Sequence, residues 1–368
     1  KDGDDMAFAD SLVIAENIQQ LSAGAVNIGF SQLAQLLPGK NDVVSVHQQI
    51  WAKIIVSTVW FAATLFMVML ACLVTGRRPG RETTEERGTL PRRFFIFFIV
   101  FTVLMALCCF INFALPSGSA MGTTIQSYEI IGGSVLAWIF LLAAGKERRA
   151  AYGLRWSRTW LSLLMLLLFV AIYIARSFLS VALSGQMAGY LPYWQTSAPY
   201  ILMAVLIPNF FLSFAAFFGE EYGWRYYLQP LLQKRFGLIR GTILLGVVWG
   251  LWHLPLDLFF YSPGYAIQSI AAHQVTCITL GVFFAFAYMS TGNIWVPVIL
   301  HFANNNLAVA VSGTTQISGY ALGWMDVLVS LVLNGIIFLP FLLARVFRRS
   351  PAAEAVPGEE TSEPAAEE

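Results

Sequence analysis

Residues 160–183 read WLSLLMLLLFVAIYIARSFLSVAL, an apolar run whose single ionisable side chain is Arg176. As an α-helix rising 1.5 Å per residue it is about 36 Å long, enough to cross a hydrocarbon core of about 30 Å. A run this long and this apolar predicts a membrane span. Working outward, the same pattern predicts spans near Ile54–Thr75, Phe94–Leu115, Ile125–Ala144, Tyr200–Phe218, Thr242–Phe260, Ile270–Ser290, Ile294–Val311 and Trp324–Val346. The fold class is therefore all-α: a polytopic transmembrane helix bundle of about 8–9 spans.

Composition agrees. The 368 residues are 57% hydrophobic and 12% charged, with a mean hydropathy of +0.67. A soluble domain carries about 25% charged residues, so a disordered chain, a disulfide scaffold and an ordinary soluble enzyme are excluded. A net charge of +1 offers no basic face for nucleic acid; the expected partner is the lipid bilayer. Cys72, Cys108, Cys109 and Cys277 lie in apolar stretches without C-x-x-C spacing and read as small buried hydrophobes. The chain opens on Lys1 rather than Met, as expected if an upstream piece has been removed, and no signal peptide is visible.

Orientation follows from the basic residues. Arg77, Arg78, Arg81, Arg87, Arg92 and Arg93 follow the first span, and Lys146, Arg148, Arg149, Arg155 and Arg158 follow the third. Arg225, Lys234, Arg235 and Arg240 follow the fifth, and Arg345, Arg348 and Arg349 the last. The intervening loops Pro116–Ser127 and Gly185–Pro199 hold no Lys or Arg. This alternation places the carboxyl terminus in the cytoplasm. Four regions follow: residues 1–49, an extramembrane or interfacial segment; 50–152, additional transmembrane helices; 153–346, a core that holds the polar clusters described next; and 347–368, an acidic disordered tail with Glu354, Glu359, Glu360, Glu363, Glu367 and Glu368.

Ionisable groups inside spans cost about 2.5–3.5 kcal/mol each at mid-helix, so the clusters that carry them mark function. In Gly219-Glu220-Glu221-Tyr222-Gly223-Trp224-Arg225, Glu221 and Arg225 are i,i+4 neighbours and can pair. Glu220, about 100° round the helix, has no such partner and could act as a general base. The competing reading ends the span at Phe218 and leaves these charges in cytoplasmic water. In Trp249-Gly250-Leu251-Trp252-His253-Leu254-Pro255, an imidazole sits among apolar neighbours beside an expected proline kink. Gly246 and Gly250 form a small face for another helix. In His301-Phe302-Ala303-Asn304-Asn305-Asn306, His301 and Asn305 share a helix face; packing glue between helices is the competing reading. Glu129, Arg176, Asp257 and Asp326 are isolated and read as structural or interfacial, with Asp257, one turn past His253, the first to revisit. His273 reads as wet, near the non-cytoplasmic end of its span.

Glu-Glu-x-x-x-Arg, an aromatic-x-x-x-His and His-x-x-x-Asn, in this order and each on a membrane helix, resemble the CPBP family: type II CAAX prenyl endopeptidases and their Abi-like, bacteriocin-processing relatives. The resemblance covers roughly Gly153–Val311, within a CPBP-like core of 153–346. It departs in Trp249, where Phe is usual, and in the first fifty residues, which have no counterpart. It implies an intramembrane endopeptidase in which Glu220 and His253 activate water, His301 and Asn305 bind the oxyanion, and Glu221 with Arg225 supports the first helix. The implied substrate is a membrane-associated peptide or protein, CAAX-type prenylated or other, and the implied location is a bacterial plasma membrane. No cofactor is favoured; in a metal-dependent version Glu220, His253 and His301 would hold Zn²⁺ with a fourth position open. The alternative function is a catalytically inactive membrane scaffold, or a proton- or ion-coupled transporter of the same fold. A transporter would carry further acidic groups across the membrane, and no such chain is visible in the sequence.

Overall fold

The computed structural model describes residues 100, 120–254, 257, 263–312 and 321–348. Among them every regular element is helical: α1 (Ala120–Ala143), α2 (Lys146–Ala151), α3 (Thr159–Leu183), α4 (Met187–Trp194), α5 (Ala198–Glu221), α6 (Gln229–Phe236), α7 (Leu238–Trp252), α8 (Ala266–Thr291), α9 (Trp295–Ser312) and α10 (Trp324–Phe338). A π-helical turn, Tyr222–Leu228, joins α5 to α6. Each expected span from Ile125–Ala144 onward falls on one of these helices. The spans expected at Ile54–Thr75 and Phe94–Leu115, the segment 1–49, the acidic tail and the Pro255 kink lie outside the described residues.

Four described stretches are long and apolar enough to cross a membrane: Thr159–Leu183, Ala198–Phe236, Ala266–Thr291 and Trp324–Leu343. One expected boundary is wrong, for a visible reason. The span expected to end at Phe218 runs on through Glu221, the π turn and α6, because pairing between Glu221 and Arg225 lets the charges be buried instead of ending the helix. The span expected over Thr242–Phe260 is α-helical to Trp252, where the His253 N–H closes a tighter turn onto the Gly250 carbonyl at 3.0 Å; its expected end lies outside the described residues.

The core is built on two helix pairs. In the first, α5 and α9 interlock through aromatic side chains: Phe210 and Phe217 meet Phe302 at 5.4 and 5.3 Å between ring centroids, and Phe214 meets Trp295 at 6.0 Å. Both ends of α9 are fixed. The Tyr193 and Tyr190 hydroxyls donate to the carbonyls of Ala310 and Val311, at 2.7 and 2.9 Å, satisfying acceptors that a helix end leaves open. At the other end Gly292 takes φ +58°, which only glycine adopts cheaply. Next to it the Asn293 amide donates to Ser162 Oγ at 3.0 Å and the Ser157 carbonyl at 3.2 Å.

In the second pair α7 lies directly on α8. A Cβ at Gly246 would stand 2.6 Å from Ile278 Cα and 3.0 Å from the Cys277 carbonyl oxygen, so the small-residue face read from Gly246 and Gly250 is the contact. Gly246→Val is expected to force the helices apart and cost about 1–3 kcal/mol, measured as a lower thermal unfolding midpoint in detergent; an unchanged midpoint would deny the close approach. The structural readings of the isolated charges hold for Arg176, which donates to Asn334 Oδ1 at 2.9 Å, and for Asp326, which accepts from the Gly323 N–H at 2.8 Å at the start of α10.

Candidate active site

The four elements of these two pairs converge on one polar cluster. Glu221 ends α5, and Arg225 follows in the π turn, a helix irregularity common at functional sites. Both side chains are fully buried, so the first cluster does not lie in bulk water. Arg225 Nε stands 3.3 Å from Glu221 Oε2. The guanidinium also sits over two ring faces, 4.9 Å from the Trp249 centroid and 5.3 Å from Phe284. None of its nitrogens meets an aligned hydrogen-bond acceptor among the described residues, so charge and cation–π attraction hold it.

Glu221 serves a second partner. Its other oxygen, Oε1, is 2.9 Å from His301 Nδ1, and His301, from the middle of α9, is nearly fully buried. The two atoms are close without an aligned hydrogen bond among the described residues, so the contact is one of charge, and it turns Nε2 away from Glu221. Phe217, Trp249 and Phe284 surround the ring, with centroids 5.4, 5.4 and 6.3 Å away. The sequence pairs Glu221 with Arg225; that the same carboxylate bridges to His301 is legible only in three dimensions.

Glu220 points the other way round the helix and is half-buried. Among the described residues it makes no salt bridge like that of Glu221; the Trp224 indole N–H donates to its Oε2 at 3.4 Å, and His301 and Trp249 lie near enough to act on the same carboxylate.

His253 closes α7. Its Nδ1 is 2.9 Å from the Trp249 carbonyl oxygen. A carbonyl only accepts, so Nδ1 donates and the neutral ring carries its lone pair on Nε2. The Trp249 indole is the hub of the site, with the His253 ring 6.1 Å and the His301 ring 5.4 Å from it. The structure thus gathers Glu220, Glu221, Arg225, His253 and His301. Asn305 stands apart on the exposed side of α9, where its side-chain oxygen accepts from Asn304 at 3.1 Å. Among the described residues no three His, Cys, Asp or Glu side chains are grouped as a metal site.

His273, expected to be wet rather than part of the site, is a further neighbour. The His273 ring, from α8, stacks on His253 at 4.6 Å with 12° between planes. The signal available was weak: Asp257 four residues after His253, and a histidine on the next helix.

A cavity of about 1030 Å³ opens between α1, α3, α5 and α9, with apolar walls that include Leu206, Phe210 and Phe302, and Lys146, Arg149 and Arg155 among its lining. It lies beside the α5–α9 pair, and Glu220, His253 and His301 do not line it.

Comparison with known proteins supports the resemblance read from the motifs, that to the CPBP proteases. Residues 202–307 match the family described as type II CAAX prenyl endopeptidase Rce1-like, a stretch that contains all three motifs. Over 94 residues the chain is 38% identical to CAAX prenyl protease 2 of Methanococcus maripaludis, covering 25% of this chain and 35% of that protein. The chain therefore matches about a third of the length of that relative. No solved structure matches the chain.

Proposed function

We propose that the chain is an intramembrane endopeptidase that hydrolyses a peptide bond of a membrane-associated substrate with water activated by Glu220 and His253. The observation that supports this best is the division of labour between adjacent carboxylates. Glu221 is committed to Arg225 at 3.3 Å and His301 at 2.9 Å, while Glu220 makes no salt bridge among the described residues, accepts from the Trp224 indole and stands within electrostatic reach of His301, which leaves its carboxylate available to take a proton.

The chemistry follows from these contacts. A water beside Glu220 and His253 Nε2 loses a proton to the base as its oxygen attacks the peptide carbonyl. Negative charge then develops on the carbonyl oxygen, and His301, held on Nδ1 by Glu221, presents Nε2 toward it; when protonated it donates there. Donors fixed in advance in a water-poor site commonly contribute about 3–4 kcal/mol to such a step. Asn305, one helical turn on, would add a second donor once a substrate lies across α9. The proton held by the base then goes to the leaving amine. No covalent nucleophile is needed.

The finer readings belong to the same proposal: about 8–9 spans, with the basic segments Lys146–Arg158 and Lys234–Arg240 and the carboxyl terminus on the cytoplasmic side, and the four regions 1–49, 50–152, 153–346 and 347–368. The substrate is a CAAX-type prenylated peptide or another membrane peptide, and the membrane a bacterial plasma membrane. The test uses the full chain in liposomes with a prenylated reporter peptide and its unprenylated counterpart, with fragments identified by mass. Cleavage at one bond, unchanged by a chelator, is expected. No cleavage of either peptide would overturn the peptidase reading, and loss on chelation with recovery on added Zn²⁺ would overturn the metal-free form.

A further inference from the structure

Beside the proposed base lies a second buried polar unit that the mechanism above does not use. Asp257 is fully buried. Its Oδ1 accepts from Ser269 Oγ at 2.7 Å and faces His273 Nδ1 at 2.8 Å. Ser269 and His273 both stand on α8, one turn apart, so a single helix presents two donors to one carboxylate oxygen. That pins the plane of the His273 ring, because a carboxylate only accepts and Nδ1 must donate.

The pinned ring has one neighbour that matters. His273 and His253 overlap nearly parallel, at 4.6 Å and 12°. His253 is held at one edge by the Trp249 carbonyl at 2.9 Å, and on the same side Cys277 Sγ is 3.7 Å from its Nδ1. A bond at one edge restrains the ring in one direction, and a flat plate against its face restrains it in another. Aiming a lone pair at a water needs both restraints, since a small misplacement of a reacting group can cost about 10²-fold in rate.

We infer that Asp257, His273 and Ser269 form a positioning unit that fixes the plane of His253 and so aims its Nε2 at the water that Glu220 shares. This rests on the reading of His253 as part of the base. His273 and Asp257 touch neither water nor substrate in this role; they act through His253. The buried carboxylate read as structural is therefore tied, through one imidazole, to the reaction.

The test keeps the two readings apart. In the liposome assay, His273→Ala is expected to lower kcat by about 10²-fold with KM unchanged. Added imidazole, which can fill the vacated space and restack on His253, should restore much of the rate, because His273 is partly open to solvent, 24% exposed. Asp257→Asn, which keeps an acceptor for Nδ1, should retain more activity than Asp257→Ala. A general structural role would lower the thermal midpoint with kcat and give no imidazole rescue, which would overturn the inference. So would a His273→Ala enzyme with wild-type kcat while Glu220→Ala is inactive. Wild-type cleavage by Glu220→Ala would instead overturn the base reading on which the inference rests.

Discussion

Glu220→Ala is expected to lower the rate of reporter-peptide cleavage by about 10³-fold, within the range of about 10²–10⁴ for loss of a general base, with little change in thermal midpoint. The two expectations belong together. Glu220 is half-buried, accepts from the Trp224 indole at 3.4 Å and makes no salt bridge among the described residues, so its removal breaks no ion pair. A large catalytic loss without a stability loss is the signature of a group kept for chemistry. Equal losses in both would mean that Glu220 is a packing residue.

Glu221→Ala is expected to do the reverse, and to do it strongly. Glu221 and Arg225 are both 0% exposed, and removal of one partner from a buried pair costs about 3–5 kcal/mol. The loss falls on two groups, because His301 Nδ1 faces the same carboxylate at 2.9 Å. Folded yield and thermal midpoint should both drop, and the folded remainder should be inactive because His301 is no longer oriented. Adding Arg225→Met to Glu221→Ala removes the stranded guanidinium and should recover part of the stability without restoring cleavage. A double variant less stable than Glu221→Ala would show that Arg225 is anchored by Trp249 and Phe284 alone.

Much of this site was legible in sequence because the bilayer penalises polar groups so heavily. Three motifs placed Glu220, Glu221, Arg225, His253 and His301 in one set, and the i,i+4 spacing of Glu221 and Arg225 gave their pairing. Apolar length gave α1, α3, α5, α7, α8, α9 and α10, while the short helices α2, α4 and α6 lie in stretches that read as loops. What escaped depended on contacts between helices. Nothing in the order of residues says that Glu221 reaches His301 eighty positions away, or that the histidine on α8 covers the face of His253. Helix ends escaped for a related reason: composition suggests a boundary at Phe218, but a carboxylate with a buried cation beside it does not end a helix. The reading of Asn305 as part of the oxyanion pair rests on its spacing from His301, and in this structure its side chain meets Asn304.

The most direct test of the central claim, one water activated jointly by Glu220 and His253, is the initial rate of reporter cleavage by wild type, Glu220→Ala, His253→Ala and the double variant, each reconstituted at equal folded concentration. Residues that act as one unit give strongly non-additive losses. The expected result is that both single variants and the double variant fall to the same residual rate. A double variant that falls by the product of the two single losses, or a single variant that cleaves at the wild-type rate, would contradict it.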